Sequence, residues 1–297
     1  MAAISYPPIP IFEVGPLSLS LHGLFAGVGF AAGAALMIRE VRSQGFEVDK
    51  YWSVLAWALV GALIGARLFT IPAHLGDPGF DLVAAISPSG SYSIIAGMAG
   101  GILAAWWRLR RLGLDLWVSL DMAAPGLALG TVVGRLGDLA IAEHLGSATD
   151  FFLGFAVKPG YDLAPQHDVL ECTVAEAVDG FCGIYHHTAL YDFLGALFLL
   201  SALLWIRRHW SDLHYGHLFA FWMTWYGTQR LFVDFTRIGA ANADRMGGPL
   251  TWSQWAALAA AIAGLVLYFW LRRTQPAVAQ EEDLRRGAKA LSAGPEA

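Results

Sequence analysis

The sequence predicts an all-α integral membrane protein of about seven transmembrane helices, with its N-terminus outside and its C-terminus cytoplasmic. Three observations lead there. Of the 297 residues 56% are hydrophobic and only 14% are charged, with 12 Trp and 33 Gly, and the mean hydropathy is +0.51. Seven apolar runs, each near the ~20 residues that span a hydrocarbon core as a helix, are spread along the chain. Lys and Arg collect in alternate connections between those runs, which fixes the orientation.

The runs fall at approximately 17–38, 51–71, 90–107, 114–133, 188–206, 215–235 and 252–271, with ends uncertain by ~2–4 residues. Ahead of the first, Met1 to Pro16 has no Lys or Arg and carries Pro7, Pro8 and Pro10. It lacks the basic start of a secretory signal, so the first run reads as a retained helix. The third run is short, and the fourth carries Asp115, Asp121 and Pro125. Residues 1–273 thus form one polytopic membrane domain that includes an outer-face segment, 138–187. Residues 274–297, charged and Ala-rich without a long apolar run, read as a solvated cytoplasmic tail.

One set of alternating connections holds Arg39, Arg42 and Lys50, then Arg108, Arg110 and Arg111, then Arg207 and Arg208, and finally Arg272, Arg273, Arg285, Arg286 and Lys289. These are 13 of the 19 basic residues, and the rule that basic loops stay inside makes this face cytoplasmic.

With that orientation, a set of charges shares the outer end of the spans. His22 lies near the start of the first helix, Arg67 near the end of the second, Arg135 and Asp138 follow the end of the fourth, Asp192 starts the fifth, and Arg230, Asp234 and Arg237 occupy the end of the sixth. Ionisable groups at a bilayer are costly unless they meet a partner, a wet cavity or a polar substrate. Arg230 and Asp234, spaced i,i+4, are expected to pair. Arg67 and Arg135 have no such carboxylate except Asp138, and this surplus of guanidinium suggests an anion. Arg matches phosphate with two parallel charge-assisted bonds, and at this depth the abundant phosphate belongs to a phospholipid. The plainer alternatives are arginines snorkelling to headgroups and ion pairs that merely pack the bundle. Four small-xxx-small pairs, Gly23/Gly27, Gly29/Gly33, Gly61/Gly65 and Gly130/Gly134, let helix backbones approach.

The segment 138–187 carries eight acidic residues against Lys158 and is long enough to form an outer cap. Cys172 and Cys182, the only cysteines, fall on its oxidising side, so a disulfide is the leading reading. His186 and His187 follow, but the Cys-x9-Cys-x3-His-His spacing matches no usual zinc pattern.

Several elements together resemble the prolipoprotein diacylglyceryl transferase family. Gly134-Arg135-Leu136-Gly137-Asp138 with Glu143 and Gly146 looks like the family's Gly-Arg-x-Gly-Asn-Phe-x-Asn-x-Glu element, and Gly65-Ala66-Arg67 like its Gly-Gly-Arg. Tyr226-Gly-Thr-Gln-Arg230 running on through Asp234 to Arg237 looks like Tyr-Gly-x-x-Arg-x-x-x-Glu-x-x-Arg. His186-His187-Thr188-Ala189-Leu190-Tyr191-Asp192 is a degraded form of His-Pro-Ser-Gln-Leu-Tyr-Glu, and Leu19 to Leu24 is similar to the first-helix element, with His22 where a Tyr is usual.

The resemblance implies an enzyme of the bacterial inner membrane that moves the diacylglyceryl group of phosphatidylglycerol onto the thiol of a lipobox cysteine in a prolipoprotein signal peptide. Arg67, Arg135, Asp138, Tyr226, Arg230 and Asp234 are then expected to bind the lipid. Catalysis is expected from Arg135 and Arg230 at the leaving phosphate and from a base among His22, His144 and Glu143. No cofactor, metal or nucleic acid is expected. The chain departs from the family where the essential His of helix three is replaced by Ile94-Ile95-Ala96-Gly97. Asp138, Ile141, Asp192 and Asp234 stand where Asn or Glu is usual. Three readings stay open at this point: an active transferase, a paralogue that acts on another substrate or binds lipid or lipoprotein without catalysis, and an anion transporter.

Overall fold

The computed structural model describes residues 3–9, 12–14, 17–68, 71, 94–163, 167, 170–237 and 250–278. Every apolar run carries a long helix. In chain order a short hairpin, β1 (Phe12–Val14) and β2 (Leu17–Leu19), precedes α1 (Leu21–Ser43), α2 (Val48–Leu68), α3 (Ile94–Arg111) and α4 (Leu116–Ala140). Three strands follow, β3 (Leu145–Ala148), β4 (Gly154–Val157) and β5 (Gly183–His187), and then α5 (Thr188–His209), α6 (His217–Asp234) and α7 (Trp252–Thr274).

Five helices, α1, α2, α4, α5 and α7, are long and apolar enough to cross a membrane. The other two are shorter, with 18 residues each. α3 ends in Arg108, Arg110 and Arg111, and α6 carries His217, Gln229, Arg230 and Asp234. Helix α3 begins four residues later than the sequence predicts, and the earlier part of that run lies outside the described residues. Helix α4 is continuous through Pro125 and starts with Asp115 Oδ1 accepting from the Val118 N–H at 2.9 Å. An acidic residue there satisfies one of the free N–H groups of a helix start, which accounts for its place at the head of an apolar run.

The chain divides into two compact units, residues 1–36 with 123–297, and residues 37–122. In the second unit α2 and α3 pack through glycine. A Cβ on Gly65 would lie 2.6 Å from the Ala96 carbonyl, and one on Gly61 2.5 Å from the Gly100 carbonyl. Arg108 Nε donates to Ser53 Oγ at 2.8 Å across the same pair.

In the first unit α1 meets α4 at a second glycine contact, where a Cβ on Gly29 would lie 2.6 Å from the Gly130 carbonyl. The expected Gly23/Gly27 pair makes no such contact: neither residue has a described atom within 4 Å of an added Cβ. That face of α1 is exposed, so sequence spacing alone misplaced the seam. Ala124 and Ala128 of α4, Leu199, Leu203 and Ile206 of α5 and Leu218 of α6 form a buried core, and α6 packs on α7 through Gly227 and Gly264.

The segment between α4 and α5 is not featureless. It holds a three-stranded antiparallel sheet in the order β3-β5-β4, with Tyr185 opposite Phe155. Ile4 adds to the free edge of β4, accepting from Ala156 N–H at 2.8 Å and donating to the Gly154 carbonyl at 3.0 Å. The sheet covers an apolar cluster of Ala142, Leu145, Phe155, Val157 and Leu163. Cys172 and Cys182 form the expected disulfide, with Cα atoms 5.4 Å apart. Oxidised sulfurs are not thiolate ligands, and His187 meets Tyr6 while His186 meets Tyr191, so the zinc reading of this motif falls. After α7, Val278 N–H donates to the Leu213 carbonyl at 2.7 Å and holds the residues that follow the helix against the α5–α6 loop, and residues 279–297 lie outside the described residues.

Candidate functional site

One end of the first unit gathers the start of α1, the end of α4, the start of α5, the end of α6 and the start of α7. The glycine of the Gly134–Asp138 motif explains how close they come. A Cβ on Gly137 would lie 2.8 Å from Phe25 Cβ, 3.0 Å from the Leu21 carbonyl and 3.3 Å from His22 Cα. Only a bare backbone lets α4 approach α1 there. The neighbouring Asp138 is thereby brought to His22, with Asp138 Oδ1 2.5 Å from Nδ1 of the ring.

From that contact a chain of ion pairs runs across the unit. Glu143 Oε2 is 3.3 Å from His22 Nδ1 on one side. On the other, Arg135 Nη1 is 2.5 Å from Asp138 Oδ2 while its Nη2 is 2.9 Å from Asp192 Oδ2. Asp192 lies 3.7 Å from Arg230 Nη1, and Arg230 Nη2 lies 3.0 Å from Asp234 Oδ1. Asp234 also sees Arg237 Nε at 3.6 Å and accepts from Ser253 Oγ of α7. Arg135 uses two different nitrogens for two carboxylates on two helices, which the planar fork of Arg allows and an ammonium does not.

This corrects one sequence expectation. Arg135 is not a surplus guanidinium: among the described residues the network holds four carboxylates against three guanidiniums and one imidazole. Asp138, the carboxylate the sequence offered, and Asp192 of α5 both turn to it. The i,i+4 pairing of Arg230 with Asp234 is present as expected.

Arg135, Asp192 and Arg230 line a cleft with Thr131, Trp222, Tyr226 and Gln229. Tyr226 stacks on Trp222, ring centroids 5.4 Å apart and planes inclined by 5°. Gln229 Nε2 donates to the Asp192 backbone carbonyl at 3.0 Å and its side chain at 3.3 Å, holding that carboxylate in place, and Trp225 Nε1 donates to Gln229 Oε1 at 3.0 Å. Sequence reasoning missed Trp222, Gln229 and Ser253. Ser253 was within reach, since Thr251-x-x-Gln254 is a helix-start signature and forms a full capping box at the head of α7.

The turn that carries Glu143 is strained. Ala142 and His144 on either side of it have φ of 48° and 60°, a region that residues with a Cβ seldom occupy. His144 sits within electrostatic reach of Glu143, Asp138, Arg135 and Arg237, and burial holds its ring below the usual histidine range. The contact with the His22 ring holds Glu143 below the usual carboxylate range. Gly146, next in the motif, passes so close to the Thr236 carbonyl and His186 Cβ that no side chain fits. Arg67 lies in the other unit, buried in the last turn of α2.

The family model for prolipoprotein diacylglyceryl transferase matches residues 9–270. The chain belongs to that family. Among similar curated proteins, the phosphatidylglycerol–prolipoprotein diacylglyceryl transferase of Frankia alni is 30% identical over 96% of this chain and 72% of its own length. Its namesake in Thermus thermophilus is 30% identical over 75% of this chain and 81% of its own. The one in Gloeobacter violaceus is 27% identical over 89% and 92%. The matched stretch includes every residue of the ion-pair network.

Proposed function

We propose that this chain transfers the diacylglyceryl group of phosphatidylglycerol to the thiol of a lipobox cysteine in a prolipoprotein signal peptide. The observation that carries the reading is the cleft in which Arg135 and Arg230 converge on one carboxylate, a ready place for the phosphate of a lipid headgroup. The proposal places the reaction at the outer face of a bacterial inner membrane, with seven helices spanning, the N-terminus outside and residues 138–187 as an outer cap. A cytoplasmic tail follows α7. Arg67 joins the lipid-binding set on the strength of its Gly-Ala-Arg motif.

In this reading the substrate cysteine gives its proton to Nε2 of His22, and the thiolate attacks the glycerol carbon that carries the phosphate ester. A C–S bond forms, the C–O bond to phosphate breaks, and glycerol phosphate leaves with the bonding pair on its oxygen. Arg135 and Arg230 face the charge that develops there, and aligned guanidinium donors in a low-dielectric site lower such a barrier without reorganising. Asp138 turns the His22 ring and, with Glu143, stabilises the positive charge the ring carries once protonated, the part an orienting carboxylate plays beside a general base. Tyr226 lines the lipid site and Asp234 fixes Arg230. His144 is the competing base.

Two measurements test the reading. The gene should restore growth to a bacterium depleted of its own transferase, and purified protein should lipidate a lipobox peptide; failure of both sinks the function. In the peptide assay His22→Ala should lose about 10²–10⁴-fold in rate while His144→Ala stays near wild type. The reverse ranking would move the base to His144.

A further inference from the structure

The indole N–H of Trp222 is the feature of the cleft that the proposed reaction does not use. Its Nε1 is buried and has no hydrogen-bond partner among the described residues, although the residue lines the same cleft as Arg135, Arg230 and Tyr226. Buried donors nearly always find an acceptor, and one left open in a ligand cleft marks where an acceptor belongs. The ring itself is held on both sides, by Phe219 at 5.5 Å and by Tyr226 at 5.4 Å, so the donor is rigid rather than free to turn toward water. The other indole of this stretch, Trp225, is satisfied by the Gly195 carbonyl and Gln229, each at 3.0 Å.

We propose that Trp222 is a specificity residue for the lipid, donating its Nε1–H to an ester carbonyl of a diacyl phospholipid whose phosphate lies at Arg135 and Arg230. The inference rests on the lipid site proposed above. Depth supports it. Trp222 is eight residues before Arg230 on α6, about 12 Å along the axis at 1.5 Å per residue. The guanidinium of Arg230 reaches the opposite way, toward Asp234 in the last turn. In a glycerophospholipid the ester carbonyls lie on the acyl side of the phosphate, and they are the only acceptors between it and the hydrocarbon. A donor about two turns deeper than Arg230 is placed for them, whereas a second phosphate contact at that depth would need a charge that Trp does not have.

The test compares binding of diester phosphatidylglycerol with its diether analogue, which keeps headgroup and chains and lacks both carbonyls. Wild-type protein in neutral detergent, titrated with each lipid without peptide, should prefer the diester by about five- to tenfold, the span of one net hydrogen bond. Trp222→Phe keeps a ring against Tyr226, removes the donor and should bind the two lipids alike. A benzothiophene analogue of Trp at the same position, which keeps the bicyclic shape, should do the same and covers the case in which the Phe variant fails to fold. Equal binding of both lipids by wild type overturns the inference, as does a diester preference that survives in either variant. Binding of neither lipid by wild type removes the proposed lipid site and this inference with it.

Discussion

The side chain of Asp192, in the second turn of α5, lies with Oδ2 2.9 Å from Nη2 of Arg135 near the end of α4. The same oxygen is 3.7 Å from Arg230, so one carboxylate of the protein sits between the two guanidiniums that a lipid phosphate would engage. Replacing Asp192 by Asn keeps an acceptor for Gln229 and removes the charge. Phosphatidylglycerol should bind several-fold more tightly to Asp192→Asn, because an internal anion no longer competes. A titration that shows weaker binding instead would make Asp192 a residue that orients the arginines rather than one that competes for them.

Arg135→Ala should both unfold more easily and lose the lipid. It leaves Asp138 and Asp192 without their shared cation, and breaking such a buried pair costs about 3–5 kcal/mol. Loss of charge-assisted contacts to phosphate, at about 1.5–3 kcal/mol, should lower affinity by roughly 10–150-fold. Arg135→Lys should recover little of either, since one ammonium does not serve both carboxylates. Lipid binding at wild-type strength in the Ala variant would remove Arg135 from the site.

Gly137 and Gly134 belong to one motif and should behave oppositely. An Ala at 137 drives its Cβ into Phe25 and the Leu21 carbonyl, an overpacking that costs about 1–3 kcal/mol and pushes α1 off α4. Transfer activity should fall further than stability, because Asp138 then stands away from His22. An added Cβ at 134 meets no described atom within 4 Å, so Gly134→Ala should be neutral or gain up to about 1 kcal/mol in helix propensity. Thermal melts and the peptide assay on both variants check this, and equal tolerance would mean that the α1–α4 approach is not needed for activity.

The β3-β5-β4 sheet should weaken in mild acid through His187. The ring is 1% exposed, its Nε2 is 3.0 Å from the Tyr6 hydroxyl, and burial pushes it down to about 4. The unfolded chain has the ordinary value near 6.5 and therefore binds more protons between pH 6.5 and 4, so folded stability drops as pH falls through that window and levels off below it. The full drop is about 3 kcal/mol by linkage. His187→Phe should lose the Tyr6 bond at every pH and flatten the slope. A melting profile of wild type that is level from pH 7 to 4 would contradict the burial of a neutral ring.

Reducing the Cys172–Cys182 bond, or Cys172→Ser with Cys182→Ser, should destabilise the cap by about 2–4 kcal/mol and leave the ion-pair network and lipid binding in place. The bond closes a loop beside the apolar cluster that includes Leu163 and Tyr185, away from the residues that line the cleft. Limited proteolysis of the segment 145–187 reports the loss directly. Two freely labelled thiols in unreduced protein would refute the bond.

Much of this was legible in the chain. The apolar runs located each long helix, because a ~20-residue hydrophobic stretch has few other stable forms in a bilayer, though α4 runs on past its predicted end at 133 to Ala140. The charged residues at the ends of those runs named most of the site, and Arg230 with Asp234 was a pair that helical spacing alone fixes. Cys172 and Cys182 were paired by being the two cysteines available on one side. Three of the four small-residue pairs lie at close seams, Gly61/Gly65, Gly29/Gly33 and Gly130/Gly134, whose backbone faces Gly29, while Gly23/Gly27 has the same spacing and an open face.

What the sequence alone determined, then, is the set of helices, their apolar faces and which ends carry charge, since all three follow from spacing along one chain. The tertiary structure decided the partners. Asp138 turns to both His22 and Arg135, Asp192 bridges arginines of two other helices, and Tyr6 reaches from the N-terminal strap to His187. Each of these contacts, except the local Arg135–Asp138 pair, joins residues from 38 to 181 positions apart. Periodicity reports which way a side chain points from its own helix. It carries no information about which helix stands opposite, and a buried charge takes whichever counter-charge the packing of glycine seams such as Gly137 against His22 places within reach.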